Sequence, residues 1–503
     1  MSLANKTIGN AFAGLIGFAW PILLALVSMP YIVHRLGNEA YGVLALVTSV
    51  LGFFAFLDLG VTNASVKYMA EAYAQNDVEK INKIVGSSLV VYLFAGGTGA
   101  CIVALMTNTL VQKILKIPTG YIADSTFAFY IASCGFLLNM VLGVFAAVPK
   151  AVQRYDVATK VNIVISTSLT LLTVLVLFLG YGLREVVILN FLSSLASLAV
   201  YMVIAKSLVR DISIRVCFDP GTLKKLFSFG AYSLLVMVSS TVLFQLDRLM
   251  IGSIAGAAQV AFYVVPASIA LRINGFVGNI MGVVFPLCSE LHATGQHTKL
   301  RELYLKASKY AFMLSISIST PLVVLSTPLM KYWMGDEYGL KSSLVLALLT
   351  GSSFFASLST VPAYLLDGIG KPRVNAFFAV QSAVMNIVLC LLLIPRFGVN
   401  GAAFAGLANG LLVAFYLVTV DKKILHIGLL RIFVDIWARP LAAALLQGVL
   451  TVIFVMPFIS GIATLMSGLA ISAGLFYVAA LLVKALNEED IMQFRQFVLS
   501  KRK

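Results

Sequence analysis

Charge is what this sequence has least of. Aspartate, glutamate, lysine and arginine make up only 11% of its 503 residues. So little charge cannot solvate the surface of a soluble chain of this size, which would ordinarily divide into several domains. Histidine and cysteine are also scarce. His34, His292, His297 and His426 share no ligand spacing, the nearest pair standing at i,i+5. Cys101, Cys134, Cys217, Cys288 and Cys390 are dispersed, odd in number and without a C-x-x-C pair. Packing thiols, rather than disulfides or a metal centre, are expected. No metal site and no cofactor is anticipated.

Catalytic signatures are missing too. Gly368-Ile369-Gly370-Lys371-Pro372 has proline where a phosphate-binding loop needs Ser or Thr after the lysine. Gly96-Gly97-Thr98-Gly99 lies inside an apolar run, where glycine serves close helix packing. There is no nucleotide-binding domain to drive an ATP-powered exporter. The longest expected outer loop, Asn108 to Ser125, is too short for a folded catalytic module. An enzyme is not expected.

What the sequence does have is apolar length. A hydrophobic content of 60% and a mean hydropathy of +0.97 describe an all-α polytopic membrane protein. About 20 apolar residues cross a bilayer as helix. Fourteen such spans are expected, at about 9–33, 40–61, 84–107, 126–148, 159–180, 184–205, 228–253, 258–287, 309–330, 343–365, 374–394, 401–420, 440–459 and 462–484. The first follows a single Lys6 and has no convincing cleavage site, so it reads as a retained helix rather than a signal peptide.

The net charge of +15 would point to nucleic acid in a soluble chain; here it points to loops facing anionic lipid, and no nucleic-acid partner is expected. With the N-terminus inside, 27 of the 36 lysines and arginines fall in cytoplasmic segments, seven in outer loops and two within spans. That alternation predicts cytoplasmic N- and C-termini. The basic linker at 211–227 divides the chain into six-helix bundles at 1–210 and 228–425, and 426–503 adds two spans and a tail. A shift of 219 residues pairs Gly37 with Gly256, Glu71 with Glu290 and Lys80 with Lys299; a shift of 213 pairs Lys160-Val161-Asn162 with Arg373-Val374-Asn375. Repeats of the same orientation imply two bundles around a central cavity. Lys67 to Lys83 and Glu290 to Lys309 read as short interfacial helices.

The residues that break the apolar pattern are the candidate site. Charge at bilayer depth costs about 3 kcal/mol or more, so it faces a wet cavity or a partner. Arg272 stands halfway along the eighth span, with Asn274 and Asn279 beside it; Gln245, Asp247 and Arg248 share the seventh. Arg272 is either paired with Asp58 or Asp247, or open to an anion, since its planar fork suits phosphate oxygens. Arg248, near the outer end, either snorkels or joins that site. Asp58 is an interfacial cap or a functional carboxylate, and Lys67 stands at the cytoplasmic mouth. Pro21, Pro30, Pro266 and Pro321 permit kinks within spans.

Three stretches carry a family resemblance: Leu57-Asp58-Leu59-Gly60, Leu366-Asp367-Gly368-Ile369-Gly370-Lys371-Pro372, and Asn386-Ile387-Val388 through Ile394-Pro395-Arg396-Phe397-Gly398-Val399-Asn400-Gly401-Ala402-Ala403. They resemble the Wzx-type lipid-linked oligosaccharide flippases, the polysaccharide-transport branch of the multidrug/oligosaccharidyl-lipid/polysaccharide exporter superfamily. The resemblance covers most of spans one to twelve. It implies a bacterial inner-membrane flippase that carries an undecaprenyl-pyrophosphate-linked glycan to the outer leaflet, for O-antigen, capsule or exopolysaccharide. Arg272 and Arg248 would hold pyrophosphate, with Lys67 at the mouth. Asn274, Asn279 and Gln245 would meet sugar hydroxyls. Asp58 or Asp247 would couple transport to H+ or Na+, and a glycan polymerase is a candidate partner. Fourteen spans also occur in the superfamily's lipid II flippases, but this first helix lacks the membrane charges expected of them. A cation-coupled multidrug exporter and a non-transporting scaffold are the alternatives.

Overall fold

The computed structural model describes residues 3–213, 215–228, 231–425, 428 and 433–486, and among them there is no β-strand. In chain order the helices are α1 (Leu3–Phe53), α2 (Val61–Ala74), α3 (Val78–Thr109), α4 (Ile122–Ala151), α5 (Tyr155–Phe178), α6 (Leu183–Leu208) and α7 (Pro220–Ser228). Next come α8 (Ala231–Ile254), α9 (Ala257–Met281), α10 (Val284–Ala293), α11 (His297–Val324), α12 (Ser326–Met334), α13 (Asp336–Lys341) and α14 (Ser343–Leu358). The last are α15 (Thr360–Gly368), α16 (Pro372–Phe397), α17 (Val399–Thr419), α18 (Arg439–Leu450) and α19 (Ile462–Leu482).

Thirteen described helical stretches are long and apolar enough to cross a membrane. The first holds two expected spans. At 51 residues α1 would run about 76 Å if straight, more than twice a hydrocarbon core of about 30 Å. It breaks at Gly37, whose φ of 80° and ψ of 158° suit only glycine. Counted either side of that break, the described stretches correspond in order to the fourteen expected spans. The protein is an all-α polytopic membrane protein. The two stretches expected as interfacial helices form helix–turn–helix corners, α2 into α3 and α10 into α11.

Those corners carry the internal repeat. At the 219-residue shift, α2 ends at Ala74 and α10 at Ala293, while α3 begins at Val78 and α11 at His297. Between them Asn76 (φ 54°) and Gly295 (φ 69°) both turn left-handed, as do Gly37 and Gly256 (φ 97°) in their own turns. The asparagines of the 213 shift each accept from a tyrosine: Tyr201 OH donates to Asn162 Oδ1 at 3.0 Å, and Tyr416 OH to Asn375 Oδ1 at 2.7 Å, the tyrosines themselves standing 215 residues apart. The repeat is written in turn geometry and polar contacts more plainly than in residue identity.

By contacts the chain forms two compact units, Met1–Ala261 with Ala379–Gly398, and Phe262–Phe378 with Val399–Lys503. Lipid is as apolar as leucine, so helices inside a bilayer associate by close packing and polar contacts. In unit 1, α1 and α8 show the first device. A Cβ on Gly42 would lie 1.9 Å from Ala257 O, one on Gly252 2.5 Å from Leu46 Cδ2, and one on Gly52 2.5 Å from Gln245 Nε2. Lys116 fastens the same end: its N–H donates to Gly252 O at 3.1 Å, its carbonyl accepts from Ala257 N–H at 3.3 Å, and its Nζ donates to Ile254 O at 2.7 Å. Unit 2 shows the second device. Gln447 of α18 donates to Ser317 O of α11 at 3.1 Å and Ser472 O of α19 at 3.0 Å, which ties the last two spans to the rest.

Candidate functional site

The expected site residues fall in both units. In unit 2, Arg272 is exposed on α9, nine residues or about 14 Å from the helix end. It stands fifteen residues from the other end, well inside a stretch long and apolar enough to cross a membrane. Among the described residues no carboxylate stands within 4.0 Å of it. Asn274 is half-buried on the same helix. Asn279 is exposed and donates Nδ2 to Gly275 O at 2.8 Å, which leaves its carbonyl oxygen outward.

In unit 1, Arg248 is half-buried and close enough to the Tyr41 hydroxyl to interact electrostatically. It too has no described carboxylate within 4.0 Å. Asp247, one residue earlier, points elsewhere, as adjacent helix positions do. It is 6% exposed and accepts Asn386 Nδ2 at 2.7 Å and Cys390 Sγ at 3.4 Å, both from α16. Gln245 packs over Gly52 with its Oε1 buried and unmatched.

Asp58 sits at a knot. It accepts Thr62 Oγ1 at 2.7 Å, Thr62 N–H at 3.3 Å and the Tyr92 hydroxyl. Leu59 (φ 52°) and Gly60 (φ 76°) make the left-handed turn that brings these groups together. The motif Leu57-Asp58-Leu59-Gly60 thus performs a cap's work at the start of α2. Lys67, later on α2, is exposed with its Nζ 5.2 Å from the centre of the Tyr68 ring. The second motif is also a corner: Asp367 Oδ1 accepts Asn375 Nδ2 at 2.7 Å, and Gly370 (φ 73°) turns the chain into α16.

One feature of unit 1 escaped the sequence reading. A cavity of about 330 Å³ opens among α1, α4, α5 and α6, and its polar lining is Thr48, Asn139, Asn190, Ser193, Ser194 and Ser197. No acidic, basic or histidine side chain lines it. Thr48, Asn139 and Asn190 are exposed there, and polar groups facing acyl chains would be unsatisfied, so this lining suits water better than lipid. Their protons are largely spent at home. Thr48 Oγ1 donates to Ala45 O at 2.9 Å, Asn139 Nδ2 to Gly135 O at 2.9 Å, Asn190 Nδ2 to Val186 O at 2.8 Å and Ser197 Oγ to Ser193 O at 2.6 Å. What remains is a ring of neutral oxygens with spare amide donors, suited to water and hydroxyl groups. The signal was present as Asn190, Ser194 and Ser197 at i, i+4 and i+7, one polar stripe on α6.

Comparison with known proteins follows from this geometry. The profile of a family described as polysaccharide biosynthesis protein matches residues 10–292. A Shigella flexneri protein named "Putative O-antigen transporter" is 23% identical over 409 residues, 80% of this chain and 94% of its own. A Bacillus subtilis membrane protein, EpsK, is 22% identical over 86% of each chain. Among solved structures, the lipid II flippase MurJ in an inward closed conformation superposes with a TM-score of 0.73 at 14% identity, covering 96% of this chain and all of that one. An inward-facing multidrug resistance MATE transporter gives 0.69 at 14% identity, over 81% and 94%. At such identities the two structures bear on fold alone.

Proposed function

The chain belongs to the polysaccharide biosynthesis protein family, and from that premise we propose that it flips a polyprenyl-pyrophosphate-linked oligosaccharide from the cytoplasmic to the outer leaflet. The reading places it in a bacterial inner membrane with both termini cytoplasmic, in the service of surface polysaccharide. The resemblance to an O-antigen transporter supports the substrate class. The observation that carries the reading is Arg272, exposed well inside an apolar stretch with no described carboxylate beside it. A guanidinium there is stable only against water or an anion, and pyrophosphate is the anion such a lipid supplies.

Each group then has a task. Arg272 and Arg248 bind pyrophosphate, and Lys67 draws it to the mouth. Asn274, Asn279 and Gln245 meet sugar hydroxyls; the neutral oxygens of the unit 1 cavity, taken by themselves, suit the same groups. Asp247, buried where Asn386 and Cys390 donate to it, and Asp58, held as a cap by Thr62 and Tyr92, are the candidate coupling residues for H+ or Na+. Transport proceeds by alternating access, and a glycan polymerase is the candidate partner downstream. The test is surface glycan in a deletion strain. Arg272→Ala should cut export at least about tenfold, the loss expected for one charged hydrogen-bonding group, while the protein stays in the membrane. Full export by that variant would remove Arg272 from the site and the reading with it.

A further inference from the structure

The segment that joins α6 to α8 has no part in the transport path described above, yet it is not a loose tether. Asn82 of α3 grips it twice: its Nδ2 donates to Asp211 O at 3.1 Å, and its Oδ1 accepts from Ser213 N–H at 2.8 Å. Farther along, Ser87 Oγ donates to Cys217 O at 3.3 Å. Gly86 makes room for this contact, since a Cβ there would lie 2.7 Å from Cys217 Cβ and 2.8 Å from Arg215 O. The segment then turns into α7 on a built cap. Asp219 Oδ2 accepts Thr222 N–H at 2.9 Å and Thr222 Oγ1 at 2.5 Å, and Pro220 takes a first-turn position that needs no N–H partner. Leu226, 1% exposed, and Leu223 pack into the core of unit 1.

The uncovered side is unlike a solvated loop. Val216, Phe218 and Phe227 are 61%, 69% and 48% exposed, and Arg210, Arg215 and Lys224 are exposed among them. Large apolar groups interleaved with cations are the composition of an interfacial segment. Both ends of the segment run into membrane-spanning helices, which keeps it within reach of headgroups.

We propose that residues 209–213 and 215–228 form a docking strap, clasped to α3 on one side and seated on the other in the headgroup layer of the adjoining leaflet, with anionic phospholipid as its ligand. Charge complementarity selects that occupant over zwitterionic lipid. Each basic residue near such a surface shifts docking about five-fold. The strap would therefore hold α2 and α3 at a depth set by leaflet charge.

Cys217, exposed between two bare apolar residues, offers a reporter. In a variant with the other four cysteines replaced by alanine, it is labelled with a polarity-sensitive dye. The protein is reconstituted in vesicles of phosphatidylcholine alone or with phosphatidylglycerol, each carrying a nitroxide lipid labelled near the headgroup. The account expects strong quenching only with phosphatidylglycerol. It should fall about 25-fold in docking equilibrium on Arg215→Gln with Lys224→Gln, at about five-fold per charge, and fall again in high salt. A second reporter, Phe227→Cys in a cysteine-free background, should behave alike, which guards against a label that disturbs the contact at Gly86. Weak quenching in both vesicle types would overturn the proposal and leave the face for a soluble protein. Equal strong quenching in both would overturn the anionic ligand. Neither result touches the glycan-export reading, which rests on other residues.

Discussion

Asp247 and Arg272 interrupt similar apolar spans and are treated differently by the fold. Asp247 is buried and hydrogen-bonded by α16, so its removal strands Asn386 as well. Asp247→Ala should lower stability by about 1–3 kcal/mol, the cost of leaving a buried polar partner unmet, as read by denaturant or thermal unfolding in detergent. Asp247→Asn keeps the shape, and should spare stability more while abolishing dependence of export on an ion gradient. Arg272 is exposed, so Arg272→Lys should leave the protein as stable as before. It should still export poorly, because an ammonium keeps the charge and loses the two-pronged fork. Asp219 has a pH signature. Hydrogen bonds from Thr222 hold its carboxyl below the ordinary carboxylate range. A depressed folded value means the cap acts above the unfolded pKa of about 3.9 and fades as pH falls through the folded one. Amide exchange in the first turn of α7 should therefore speed up in acid beyond the intrinsic rate, and should not do so in Asp219→Ala.

Elements in this protein meet through glycine. The seam of α1 with α8 and the start of α9 leaves no room for a methyl group at Gly42, whose Cβ would meet the backbone oxygen of Ala257 rather than a flexible side chain. Gly42→Ala should cost about 1–3 kcal/mol, the usual penalty of overpacking, seen as lower yield and melting temperature. Gly97, where a Cβ would meet nothing, should tolerate alanine and serves as the control. The seam was half-legible beforehand. Glycine-bearing spans were recognised as packing surfaces, but which two would meet depends on tertiary geometry. The motifs that carried the family resemblance are a different case. In two of the three, Asp58 and Asp367 are held by Thr62, Tyr92 and Asn375 at helix corners, so those two stretches record the architecture of the turns more than the chemistry of the cargo.

At the scale of the molecule, hydropathy gave the order of the spans, with ends that differ by up to about a dozen residues, as at His297–Val324 against the expected 309–330, because a bilayer fixes the apolar length of a helix and not where the helix stops. The pairing of distant spans, such as Asp247 with Asn386, was not legible, since such contacts leave no mark on composition. Nor was the neutral cavity of unit 1: a charge inside an apolar span announces itself, whereas Asn139, Asn190 and three serines are ordinary there one at a time. That cavity makes its own prediction. Asn139→Leu with Asn190→Leu should dry it and reduce glycan export, with no change in the salt dependence expected of pyrophosphate binding at arginine.

Reconstitution tests the central claim most directly. Purified protein in vesicles is given a fluorescent polyprenyl-pyrophosphate oligosaccharide in one leaflet, and its arrival in the other is timed by a membrane-impermeant quencher. Wild-type protein should move the lipid and Arg272→Ala should not, though both are folded and inserted. Equal movement by both, or none by wild-type protein under any ion gradient, would contradict an arginine kept inside an apolar span for a phosphorylated lipid.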